Sequence, residues 1–225
     1  MTQPIVIVGA GGHGREVLQL IRDINAAHPE PVWHCLGFLV DAAYLAQAPA
    51  AVGGVPVLGD LSWLAARPEV QVVVAIGAPA ARRLMVGRIR AQGSNAFPGL
   101  IHPRAWIGAN VALGEGTLVC AGTMLTSDII VGAHVHLNVA STLAHDDVLE
   151  DFVTLGPGVH VAGNVVLKEG AELGIGCNVI PRCTVGAWSV LGAGAVVTQS
   201  IEADCTAVGS PARVVKRRAP GWHQA

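Results

Sequence analysis

Counted from Ile101, an aliphatic residue returns at every sixth position: Ile101, Ile107, Leu113, Val119, Leu125, Val131, Leu137, Leu143, Leu149, Leu155, Val161, Leu167, Leu173, Val179, Val185, Leu191 and Val197. All 17 positions are Ile, Leu or Val, and the register has no insertion. Neither the helical period of 3.6 nor strand alternation produces a period of six. A fixed repeat of this kind marks a stacked, repetitive architecture. Position two of the hexapeptide is often glycine (Gly108, Gly114, Gly132, Gly156, Gly174, Gly186, Gly192), and position five is mostly small or β-branched. The pattern predicts short strands joined by tight corners, with the aliphatic residues pointing inward and small residues at the bends. Three hexapeptides then close one triangular coil of 18 residues, and the 17 repeats make between five and six coils.

The first hundred residues follow another rhythm. PIVIVGAGGHGREVLQLI (4–21) reads as an apolar strand, a glycine loop and a helix with Val17, Leu18 and Ile21 on one face. A second strand, HCLGFLVD (34–41), ends in Asp41. A third, VQVVVAIGAP (70–79), runs to Gly77, and a helix around ARRLMVGRIRAQG follows. This order is a small parallel α/β unit, about half of a dinucleotide fold. The expected organisation is an α/β half domain over 1–96, a parallel β-helix over 97–203 and a tail over 204–225.

Composition narrows the partners. Charged residues make up 13% and hydrophobic ones 52%, yet no apolar run is long enough to span a bilayer. A net charge of −2 gives no electrostatic footprint for nucleic acid or an anionic membrane, and the basic stretch RVVKRR (213–218) is too short to change that. The N-terminus lacks the pattern of a signal peptide. Five cysteines (35, 120, 177, 183, 205) form no C-x-x-C pair and read as small buried hydrophobes in a reducing compartment. A cytoplasmic protein is expected.

Two stretches carry candidate chemistry. The loop Gly9-Ala10-Gly11-Gly12-His13-Gly14 satisfies G-x-G-x-x-G at a strand-to-helix turn, where backbone N–H groups suit a phosphate or diphosphate. Asp41 at the end of the second strand suits sugar hydroxyls or base N–H groups. The second stretch is LAHDDVLEDF (143–152), where one His and four acidic residues interrupt an otherwise sparsely charged rhythm. Histidine as a residue type titrates close to neutrality, so His145 suits a proton acceptor. Asp146 or Asp147 could hold its other ring nitrogen. Neighbours on a strand point to opposite faces, so contact between His145 and Asp146 requires the chain to bend there. The alternative is a carboxylate from another coil or subunit. His134, His136, His145 and His160 are too irregularly spaced for a metal site of the γ carbonic anhydrase type, so no metal is expected.

The combination of VIVGAGGHGREV (6–17), GFLVD (37–41), VGGVPVLGD (52–60), VAIG (74–77), IHPRAWIG (101–108), LNVASTLAHDD (137–147), DFVTLGPGVHVAG (151–163) and AVGSPARVVK (207–216) resembles, over almost the whole chain, the sugar O-/N-acetyltransferases. That family groups sialic acid O-acetyltransferase with the nucleotide-4-amino-sugar N-acetyltransferases. The resemblance implies a left-handed β-helix, a homotrimer with active sites between subunits, and acetyl-CoA as donor. It implies an acceptor site at Gly9, Gly11, Gly12, His13, Gly14, Asp41 and Gly77, with Asn138 near the acceptor's amine or hydroxyl or, equally, capping a corner. His145 with Asp146 stands where the family has its catalytic base. Thr154, Gly156, Gly158 and Gly163 fall where acetyl-CoA lies, although the glycines could equally serve corners. Thr154 replaces a histidine that relatives often carry, and His136, one coil away, is a possible substitute. The expected reaction is N-acetylation of a nucleotide-linked 4-amino sugar. O-acetylation of sialic acid or another glycan precursor is the alternative, and a non-catalytic sugar-nucleotide-binding protein the remote one.

Overall fold

The N-terminal apolar run forms β1 (Gln3–Val8), and Ile5, Val6, Ile7 and Val8 are all buried. A continuous apolar run, rather than an alternating one, is what a parallel strand covered on both faces requires. In this computed structural model, which describes residues 2–93 and 96–224, β2 (Trp33–Leu39) and β5 (Gln71–Val74) pair in parallel on either side of β1. Ser94 and Asn95, just before the expected boundary at 96, lie outside the described residues. Helix α1 (Gly12–Ala26) buries Val17, Leu18, Leu20, Ile21 and Ile24, and α2 (Pro79–Gln92) follows β5.

The sheet has two further strands that the hydrophobic pattern did not reveal. β3 (Ala51–Val52) and β4 (Val55–Gly59) form an antiparallel hairpin, and the sheet order is β3-β4-β2-β1-β5. The hairpin turns at Gly53 and Gly54, with φ of 57° and 82°. Left-handed backbone at both central positions is the requirement of a tight two-residue turn, and Gly-Gly meets it without strain.

Contacts divide the chain into one unit of residues 1–77 and 81–103 and a second of residues 78–80 and 104–225. The second unit is the β-helix expected from the six-residue period. Two-residue strands 18 positions apart pair in parallel, as Met124–Leu125 does with Thr142–Leu143 and His136–Leu137 with Thr154–Leu155. From Val119 to Val197 every clock position is buried, whereas Ile101 is 41% exposed.

Position five proves to be a second inward-facing position, from Thr117 through Ile129, Val135 and Val153 to Ala195. Its small polar residues serve the coil that follows. Thr117, Thr123, Ser141 and Cys177 donate to the carbonyls of Gly132, Asn138, Gly156 and Gly192, each 15 residues on.

The corners differ from the expectation. The residue that turns the chain is at position four, not position two. Every sixth residue from Asn110 to Gly194 has a positive φ, whether glycine or, as at Asp128, His134, Asp146, Phe152 and Trp188, a larger side chain. No β-branched residue occupies this position, in keeping with the cost of left-handed backbone for such side chains. The corner N–H is satisfied by the preceding coil: Asp146 N donates to Ser127 O at 3.3 Å and Asn164 N to His145 O at 2.9 Å. The position-two glycines answer a different demand. A Cβ on Gly108 would stand 1.7 Å from Thr126 O, and one on Gly156 would stand 2.8 Å from Ile175 N. At Gly108, Gly114, Gly156, Gly174 and Gly186 the residue is small because backbones of successive coils meet there.

Candidate functional site

The glycine loop has three glycines with three reasons. Gly9 has φ 110°, and a Cβ on it would approach Ala75 O to 2.8 Å. A Cβ on Gly14 would lie 2.0 Å from Gly9 O, so helix and loop close only on glycine. At Gly11, by contrast, an added methyl would meet nothing within 4 Å, and the residue lines a cavity of about 650 Å³. The fold needs Gly9 and Gly14, while Gly11 leaves room for whatever occupies the cavity, the division of labour of a phosphate-binding loop.

Val8, Gly9, Ala10 and Gly11 form one wall of this cavity, Val40 and Asp41 another, and Tyr44, Gln47, Ala48 and Pro49 a third. Ile76 and the α2 residues Ala81, Leu84, Met85 and Arg88 complete it. Size and lining suit a nucleotide, with an apolar bed and few polar anchors. Asp41 is one anchor. Its Oδ1 accepts from Ala43 N at 3.1 Å and its Oδ2 pairs with Arg88. The Ala43 N–H, helped by the Arg88 guanidinium, holds the Asp41 carboxyl below its usual range.

Of the other residues expected here, His13 sits in the first turn of α1 with Nδ1 2.9 Å from Glu16 Oε2. Gly12 and Gly14 belong to the same turn, and none of the three lines the cavity. Gly77 contributes its carbonyl: the fully buried Arg82 donates to Ile76 O and Gly77 O, both at 2.8 Å. Tyr44, Leu84, Met85, Arg82 and Arg88 were missed in the sequence. The one local signal was Asp41 ahead of a short 3-10 turn (Ala42–Gln47), where it acts as an N-cap.

In the β-helix the acidic cluster resolves into separate tasks. Asp146 is a corner residue with φ 61°, and this bend brings its carboxylate beside the preceding side chain. His145 Nδ1 lies 2.7 Å from Asp146 Oδ2. A carboxylate only accepts, so Nδ1 carries the proton in this pair, and in the neutral imidazole Nε2 then presents its lone pair. Both side chains are open, at 62% and 57% exposure.

Asp147 does something else. It occupies the inward position five, is fully buried, and accepts from Val165 N at 2.9 Å and Ala144 N at 3.1 Å. It therefore fastens the corner that presents His145. Burial pushes its carboxyl up to about 7, against the pull of the two N–H donors from Val165 and Ala144. The fold thus favours the protonated form. Its contribution to stability is complete below about pH 4 and is lost as pH rises through about 7. The melting-temperature advantage of wild type over Asp147→Asn is expected to shrink across that interval. An advantage that grows with pH would contradict this account.

Asn138 donates from Nδ2 to Leu155 O at 2.6 Å, tying one coil to the next. Thr154 is 7% exposed and pairs with His136, itself buried at 2%. Gly158 is a corner residue with φ 62° and open space around it, and Gly156 lies at a backbone contact between coils. Gly163 lies against the ring of His145. Among the other histidines, His134 stacks on Phe152 and His160 Nδ1 lies 2.9 Å from Thr142 Oγ1.

Residues 4–89 match the family model of the PglD N-terminal domain. GDP-perosamine N-acetyltransferase of Escherichia coli O157:H7 is 29% identical over 122 residues, which are 52% of this chain and 55% of that protein. The chain thus spans about half the length of that curated relative. Among solved structures, a histidine-to-asparagine variant of perosamine N-acetyltransferase from Caulobacter crescentus, in complex with CoA and GDP-perosamine, is 32% identical. It superimposes with a TM-score of 0.85 over 95% of this chain and 97% of that one. The acetyltransferase domain of PglB from Neisseria gonorrhoeae, in complex with acetyl coenzyme A, is 28% identical with a TM-score of 0.83, covering 96% and 100%.

Proposed function

The chain belongs to the hexapeptide-repeat family of nucleotide-amino-sugar acetyltransferases, and on that premise we propose that it moves acetyl from acetyl-CoA to the amine of a nucleotide-linked 4-amino-deoxysugar. The observation that carries the reading is the His145–Asp146 pair at an exposed corner, with Nε2 available to a substrate. His145 takes the proton from the attacking amine as the new N–C bond forms. Asp146 holds Nδ1–H and stabilises the imidazolium that results. The thioester C–S bond then breaks, and the proton on Nε2 goes to the departing thiolate. The cavity behind the glycine loop takes the nucleotide of the acceptor, with Gly11 at its phosphates and Asp41 at base or sugar groups.

The similarity to GDP-perosamine N-acetyltransferases favours a GDP-linked amino sugar as the acceptor. Attack by an amine leaves an amide, which resists hydroxylamine, whereas an O-acetyl ester is cleaved by it. A hydroxylamine-resistant acetyl group on the nucleotide product supports the reading, and a labile one overturns it in favour of O-acetylation.

The working form is a homotrimer with active sites between subunits. Exposed Met124, Ile130, Ile175 and Ile180 on the β-helix support burial of these faces against further copies. Light scattering in solution is expected to give three times the mass of the chain, and a monomer would contradict it.

A further inference from the structure

The ring of His145 lies on Gly163, one coil further along the β-helix at the matching register position. A Cβ built on Gly163 would stand 2.7 Å from both Cε1 and Nε2 of His145 and 3.1 Å from Cδ2. These three ring atoms are the nearest neighbours such a methyl would meet, and real Cβ atoms essentially never come as close as the first two. Gly163 is not among the residues with positive φ. Its backbone thus accepts an L-residue without strain, unlike the corner glycines. The nearest neighbours differ too: at Gly163 they are atoms of the imidazole, whereas at Gly108 and Gly156 they are backbone atoms of another coil. What an added methyl would have to displace first at this position is the imidazole.

We propose that Gly163 is a positioning residue for the catalytic base, setting the height and tilt of the His145 ring. The inference rests on the reading of His145 as that base. Two constraints then fix the imidazole. Asp146 holds it by Nδ1 at 2.7 Å, and Gly163 lets its Cε1–Nε2 edge settle onto the backbone. A methyl at Gly163 pushes the ring away from the coil, which moves Nε2 and stretches the bond to Asp146 together. Misplacement of a reacting group by about 1 Å can cost about a hundredfold in rate. This role differs from the one expected of Gly163 in the sequence, where the small residue made space for CoA.

The test is a double-mutant cycle of Gly163→Ala, His145→Ala and the pair, measured by steady-state kinetics, thermal melting and calorimetric binding of CoA. Gly163→Ala is expected to lower kcat about tenfold to a hundredfold with both KM values and CoA affinity nearly unchanged. In the His145→Ala background it should cost nothing further, because the ring it displaces is gone. A loss that is equal in both backgrounds, or that follows weakened CoA binding, overturns the proposal. Melting gives a reading if Gly163→Ala folds poorly: the double variant should recover the stability lost, since it removes the collision. If the double variant melts as low as Gly163→Ala, the glycine serves the fold and not the ring. Wild-type kcat in Gly163→Ala with a dead His145→Ala would sink the inference alone. Wild-type kcat in His145→Ala would instead sink the assignment of the base.

Discussion

Replacing His145 by alanine is expected to lower turnover about a hundredfold or more, with little change in the melting temperature. The kinetic loss follows from the chemistry. An amine that attacks a thioester must shed a proton as it does so, and within this corner His145 Nε2 is the acceptor that the pairing with Asp146 leaves available. The small structural effect follows from exposure: the side chain is 62% accessible and its hydrogen bond to Asp146 joins it to an equally open carboxylate. Exposed pairs of this kind contribute little to stability, about 1 kcal/mol at most. Initial rates at saturating acetyl-CoA and acceptor check the first expectation, and a rate near that of wild type would remove His145 from the mechanism.

Gly11→Val is expected to raise the KM for the acceptor about tenfold or more, equivalent to about 1.4 kcal/mol of lost binding, and to spare the KM for acetyl-CoA. The asymmetry rests on where the side chain would go. No atom lies within 4 Å of a Cβ at Gly11, so the isopropyl group is accommodated by the fold and enters the cavity. Gly9 and Gly14 could not make the same point, because side chains there meet backbone oxygens at 2.8 and 2.0 Å and would disturb the loop itself. An effect of Gly11→Val confined to acetyl-CoA would place the donor, not the acceptor, in the cavity.

The β-helix was legible because its inner surface is written into the sequence at a strict interval. Leu137, Leu155 and Leu173 stack directly on one another through parallel pairing, so one buried column imposes one chemistry. The corners were not legible for the opposite reason. Left-handed backbone at Asp128, His134, Asp146 and Phe152 is enforced by pairing with adjacent coils, and these side chains do not announce it. The glycines that did stand out, at position two, reported close approach between coils. In sequence the partner of His145 was either of two adjacent aspartates or a carboxylate from another coil or subunit. Only the corner at Asp146 separates the two aspartates, sending one carboxylate to the imidazole and the other inward to Val165 and Ala144.

In the N-terminal unit, β1, α1 and Asp41 were visible as a strand, a glycine loop and an acidic strand end. The rest of the cavity was not. Tyr44 and Pro49 lie beyond Asp41, and Leu84, Met85 and Arg88 sit on α2, so the lining comes from segments that meet only after the sheet has formed. Arg88 and Asp41 are 47 residues apart, and no local pattern foretells their ion pair. The β3–β4 hairpin was announced by Gly53-Gly54 alone, flanked by strands too short to show a period.

Thiol release from acetyl-CoA, measured with GDP-, UDP- and dTDP-linked 4-amino sugars beside free and CMP-linked sialic acid, tests the proposed reaction most directly. The account predicts release with a nucleotide-linked amine, the GDP form foremost. Release with sialic acid alone, or with none of these acceptors, would contradict it.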